Sequence, residues 1–185
     1  MMNIDLTTSL TPLRGQTIEE MLLQEYPSAG YATVLLKLAT GKTHAIRSRE
    51  VASAPFEAYT LSCSAFDGET DADREGPFPW RSMRPYMLVD DVTIVDREEW
   101  IADGTTPGGP VLASNQTLID AGPLGSAPSA AAKVIVSCGI ALRSMTQGKV
   151  IFLYLNDFPG ILGVSTDQTE IDDFIRRFTE VRIAT

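Results

Sequence analysis

Two short runs of apolar and β-branched residues, Tyr31–Ala39 and Thr43–Ser48, are separated only by Thr40-Gly41-Lys42. A break this short, with a glycine in it, leaves no room for a crossover helix, so the runs must pair as an antiparallel β-hairpin. Near the C-terminus the arrangement recurs, with Lys149–Leu155 and Gly160–Ser165 flanking Asn156-Asp157-Phe158-Pro159. Between the hairpins, Phe56–Ala65 and Tyr86–Val95 read as central strands.

Four stretches carry helical signals. Thr17-Ile18-Glu19-Glu20 has the form of a capping box and predicts a short helix over 18–25, ended by Pro27. Asp96-Arg97-Glu98-Glu99 predicts a helical turn through Ile101, stopped at Gly104. Val134, Cys138, Ala141, Leu142 and Met145 fall on one helical face before Gly148, although Gly139 inside it costs about 1 kcal/mol relative to Ala. Ile171, Phe174, Ile175 and Phe178 predict an amphipathic C-terminal helix with Asp167 and Glu170 at its start. The expected fold is therefore α+β: a single domain over residues 1–185 with a mainly antiparallel sheet, two hairpins plus central strands, packed by about three helices. A chain of 185 residues buries roughly 70% of its unfolded surface and needs no disulfide or metal staple. Two loops interrupt this order: an acidic, proline-rich one at 67–85 and a Gly/Pro-rich one at 104–128, which either is functional or hides a short element around Val111–Ile119.

The net charge is −9, and it is unevenly spread. Residues 67–103 hold eleven acids against four arginines and so carry −7 of it. Such a zone repels nucleic acid and anionic lipid, and steers a basic protein toward itself. Solvation alone would also account for it, as for most charge runs. The N-terminus shows no basic and apolar signal pattern, no apolar run approaches the roughly 20 residues of a membrane span, and Cys63 and Cys138 read as buried free thiols. A cytoplasmic protein is expected.

Catalytic motifs are scarce. Thr40-Gly41-Lys42-Thr43 resembles the end of a phosphate-binding loop, but Leu36 stands where its first glycine belongs and the context is a hairpin turn. Pro107 and Pro110 remove amide donors from the glycine-rich stretch 104–110. His44 is the only histidine, so a histidine-assisted nucleophile must reach it, and Cys63 on the adjacent strand is the one candidate. The ordinary reading of that pair is a packed thiol beside an exposed strand histidine. Asp90 and Asp91 are neighbours on a strand, face opposite ways and cannot serve as an acid and base pair. The alternating acids of 67–75 lack the order of a calcium loop. No cofactor, metal or catalytic residue is expected.

What remains is binding. The sequence favours a non-enzymatic protein-binding module that masks a basic partner, a toxin domain being one such partner. The analogy, of class alone, is with acidic immunity proteins that inhibit secreted bacterial toxins. The residues expected to bind are Asp67, Glu69, Asp71, Asp73, Glu75, Trp80, Asp90 and Asp91. Trp80 would act as an aromatic anchor in a proline-stiffened loop. The alternative is a structural or assembly subunit of a phage or secretion-type complex, a homo-oligomer reaching its neighbour through 104–128 and Phe78–Trp80.

Overall fold

In the computed structural model, residues 6–27, 30–52, 58–66, 78–102, 118–120, 131–156, 160–176 and 180–183 are described. A helix α1 (Leu6–Leu10) and a single 3-10 turn (Thr11–Leu13) lead into strands β1 (Thr17–Tyr26), β2 (Gly30–Leu38), β3 (Thr43–Ala52) and β4 (Ala58–Ala65). Then come β5 (Trp80–Met83), β6 (Met87–Leu88), β7 (Asp91–Ala102), β8 (Leu118–Asp120), β9 (Ala131–Ser144), β10 (Lys149–Leu155) and β11 (Leu162–Ser165). Helix α2 (Gln168–Ile175) and strand β12 (Glu180–Ile183) end the order.

The two hairpins form as expected: β2 pairs with β3 and β10 with β11, both antiparallel. The expected α+β packing by about three helices does not. The chain is a mostly antiparallel sheet curled into a half-barrel, with two short helices among the described residues. Three predicted helical segments are strands instead: 18–25 lies in β1, 96–101 in β7 and 134–145 almost wholly in β9.

The reason is the same in the two longer cases. Ile18 pairs with Leu38 and Glu20 with Lys37, so Glu19 is an extra residue in β1. This bulge moves the next buried position from Glu20 to Met21, and a spacing that belongs to a helix appears inside a strand. In β9, Val95 pairs with Gly139 and Asp96 with Ser137, leaving Cys138 as the extra residue. Every residue from Val136 to Leu142 is also buried. A strand covered on both faces loses its alternation, and the bulge supplies a false helical period. The C-terminal helix does form. Asp167 caps α2, its Oδ1 accepting from the Thr169 amide at 2.8 Å, and Ser165 Oγ donates to Glu170 at 2.7 Å.

Two corners curl the sheet. One half runs β4-β3-β2-β1, with β5 and β6 on the outer side of β1; the other runs β12-β7-β9-β10-β11. At the first corner β11 meets β2 through one register pair, Leu162 with Tyr31. Gly30 is required there: its φ is +131°, and the Leu162 carbonyl occupies the place a Cβ would take. At the second corner the chain passes from β6 to β7. Val89 exchanges backbone hydrogen bonds with Gly15 and Gln16 (2.8 and 2.9 Å), and the Asp90 amide donates to the Arg143 carbonyl at 2.8 Å. The core fills the curl, from Leu10 and Leu13 of the N-terminal segment through Met21, Ile46 and Ile94 to Phe152.

Aromatic rings from β10 and α2 complete it. Phe174 meets Phe152 edge-on and Tyr154 at a tilt, each with centroids 4.9 Å apart. Tyr154 has glycine opposite it on both neighbouring strands, Gly139 on β9 and Gly163 on β11. The ring lies over Gly163, where no side chain competes for the space.

Candidate functional site

The acidic residues Asp67, Glu69, Asp71, Asp73 and Glu75 lie outside the described residues, as do 103–117 and 121–130 of the glycine-rich stretch. The two ends that hold the acidic segment are described. Phe66 follows β4, its amide donating to the Thr43 carbonyl at 2.9 Å, with the Arg47 guanidinium 5.9 Å from its ring centroid. Phe78 precedes β5, its ring 5.0 Å from that of Tyr26. The Pro79 carbonyl accepts from the Glu25 amide at 2.9 Å. The residues that flank the segment therefore stand at opposite edges of the β4-β3-β2-β1-β5 half, each flank with an aromatic ring against a neighbouring strand's side chain.

Part of the expected loop 67–85 is a strand: Trp80–Met83 pairs with Gln24–Met21 as β5. Glu20 fixes it, accepting from Lys37 Nζ at 2.6 Å and from Ser82 Oγ at 2.7 Å across three strands. These two donors hold the Glu20 carboxyl below its ordinary pKa. Trp80 is half-buried, and its indole N–H is shielded from solvent without a hydrogen-bond partner. The chain then reaches Tyr86, the one described non-glycine residue at positive φ (43°) and one of few exposed large apolar side chains. Lys149 Nζ on the Pro85 carbonyl (2.8 Å) and the Leu88 amide on Gln147 Oε1 (3.3 Å) hold this segment in place.

Asp90 and Asp91 do face different ways, and both are engaged within the chain. Asp90 Oδ2 accepts from the Thr146 amide at 3.2 Å, Thr146 Oγ1 at 3.3 Å and Ser144 Oγ at 3.4 Å, clamping the β9–β10 turn. The backbone hydrogen bond from Thr146 is the largest cause holding its carboxyl below the ordinary value. Asp91 lies 3.7 Å from Arg143 Nη1, which also donates to Thr93 Oγ1 at 2.8 Å. The structure thus draws these two acids into the second corner, apart from Trp80.

His44 and Cys63 are brought together, with Nδ1 and Sγ 4.0 Å apart. The histidine is not exposed, however: only 8% of it meets solvent, and 7% of the cysteine. The Cys63 thiol donates to the Ser9 carbonyl of α1 at 3.7 Å. Burial pushes its pKa up to about 12, so the thiol stays protonated at neutral pH. Burial and Lys42 together hold the imidazole below its ordinary value. A neutral thiol beside a neutral imidazole is the reverse of an activated nucleophile.

A polar bridge that the sequence did not signal crosses the core. Asp96, at the β9 bulge, is only 1% exposed and accepts from Ser137 Oγ at 2.8 Å. The Ser137 amide in turn donates to Thr60 Oγ1 at 3.2 Å, so the contact joins β7, β9 and β4. Its only hint was an acid inside an apolar strand, masked by the helical reading of 96–101.

Among the described residues, no group of three or more His, Cys, Asp or Glu is placed to hold a metal ion, and no helix is long and apolar enough to cross a membrane. Comparison with protein-family models, curated proteins and solved structures finds no match to this chain.

Proposed function

We propose that the chain is a non-enzymatic protein-binding module whose acidic segment masks a basic partner, as an inhibitor or immunity-type protein would. The observation that carries this reading is the mounting of residues 67–77 between Phe66, under Arg47, and Phe78, against Tyr26. Five acids at alternate positions in one short stretch of the sequence would attract a basic partner. The neutral His44–Cys63 pair supports the non-enzymatic half of the reading. Two free buried thiols fit a reducing compartment.

Pairing with another chain at the β5 edge, beside Phe78–Trp80, as in an assembly subunit, finds less support. Strand β5 has 4 residues, stands between Pro79 and Pro85, and carries Arg81, with Arg84 just beyond it. Short, charged, proline-flanked edges resist pairing with another chain.

The test is capture of the partner by native pull-down, followed by association kinetics at several salt concentrations. Asp71→Lys with Asp73→Lys is expected to slow association at low salt by about tenfold and to flatten its salt dependence. A partner whose association ignored both substitutions would refute the reading. Light scattering that gave a ring or higher oligomer would favour the assembly reading instead.

A further inference from the structure

His44 sits on the core face of the β2-β3-β4 ladder. Its cross-strand neighbours are Leu36 and Ala65, and Ile46, on the same face of β3, pairs with Cys63. Helix α1 closes over this face, with Leu6 and Leu10 buried and the Ser9 carbonyl on the Cys63 thiol. Among the described residues, the charged and titratable groups facing His44 are few. The β2 side offers Leu36, with Lys37 turned to Glu20; the β4 side offers only Cys63; α1, of sequence LTTSL, offers none; and Lys42 approaches from the turn. Among the described residues, none that faces His44 is a carboxylate able to stabilise an imidazolium, and a proton there would be buried with one cation nearby.

We propose that α1 is a pH-sensitive lid: protonation of His44 lifts it from the β3–β4 face and uncovers Cys63. The helix has only 5 residues and packs on β4 through the buried Leu6 and Leu10, so its release would open the face that holds Cys63 and the imidazole beside it. The sign follows from linkage. Above the ordinary histidine value of 6.5 both closed and open forms are neutral, and pH has no effect. Below it the open form binds the proton and the closed form resists, so opening grows as pH falls. One proton allows at most about a 25-fold rise in the open population between pH 7 and pH 5.

Cys138 supplies an internal control, because it is fully buried in β9 with its thiol on the Val95 carbonyl at 3.3 Å, away from α1. Wild-type protein is labelled with dithiodipyridine, which reacts with thiols in mild acid, at pH 5 to 7. Each rate is normalised to that of glutathione at the same pH, and the label is located by peptide mapping. The expected result is labelling of Cys63 that accelerates by on the order of 10-fold toward pH 5 while Cys138 stays protected. In His44→Gln the acceleration disappears. Equal acceleration at both cysteines would mean global unfolding, and a flat Cys63 rate would mean no lid; either overturns the proposal. So does an acceleration that survives in His44→Gln. If that variant fails to fold, the two wild-type rates still decide.

Discussion

Phe152→Ala is expected to destabilise the protein by about 3–5 kcal/mol, the largest effect of any single truncation considered for this fold. Phe152 is fully buried, meets Phe174 edge-on at 4.9 Å and stacks near Tyr154 at 5.5 Å. It also fills the space over Gly139, where a Cβ would lie 2.8 Å from the ring. Truncation removes the burial of the ring, leaves a cavity beneath α2, and takes away the surface on which that helix rests. For a chain of this size the loss corresponds to a fall in Tm of roughly 6–20 °C. A thermal melt checks it. A fall of only a degree or two would show that α2 and β10 collapse into the gap, and that the aromatic cluster is less rigid than its geometry implies.

Gly163→Ala should destabilise by about 1–3 kcal/mol although it adds a single methyl group. The new Cβ would fall within 2.5 Å of Tyr154 Cε2, inside the ring's own volume. Tyr154 must then swing away, and in doing so it loses its contact with Phe174. The cause can be isolated by a double-mutant cycle. In a Tyr154→Ala background the same glycine substitution should be nearly neutral in urea denaturation, because the ring it strikes is gone. Additive effects of the two changes would place the strain in the β11 backbone instead.

Both effects fall in the second hairpin and α2, elements that the sequence discloses, whereas other strands are hidden in it. The hairpins could be read directly, because Thr40-Gly41-Lys42 permits little besides a turn between two β-rich runs. Helix α2 could be read as well, since its apolar stripe and the Asp167 cap agree. Strands β1 and β9 could not. In each, one extra residue, Glu19 or Cys138, resets the alternation and imitates a helical repeat. A bulge is defined by the partner strand, so a single strand's pattern cannot reveal it. The Thr17–Glu20 capping box misleads for a related reason: Glu20 spends its carboxylate on Lys37 and Ser82 of neighbouring strands rather than on a helix start. Strand β5 was hidden by the prolines on either side of it. At the candidate site, strand adjacency joins His44 to Cys63 and apolar surroundings give the burial of the thiol, while the burial of the histidine and the packing of α1 on Cys63 are not visible in the sequence. The sequence makes Asp90 and Asp91 candidate binding residues, and the hydrogen bonds that engage Asp90, from Ser144 and Thr146 over fifty residues away, lie beyond local pattern.

The corner where β11 meets β2 has a consequence for how the chain acquires its shape. Local contacts suffice for the meander β1 to β4 and for β9 to β11, because each neighbouring strand follows within a few residues of chain. Leu162 and Tyr31 come from opposite ends of the chain and meet at a single register position, so loop-closure entropy is concentrated where the fewest contacts offset it. The curl is therefore expected to close last and to open first. Amide exchange near Tyr31 and Leu162 should proceed through a smaller opening than exchange at Phe152, with equal protection at both places the result that would show the sheet to open as one unit. A half-barrel of this kind has a built-in zipper, and Gly30 is its end stop.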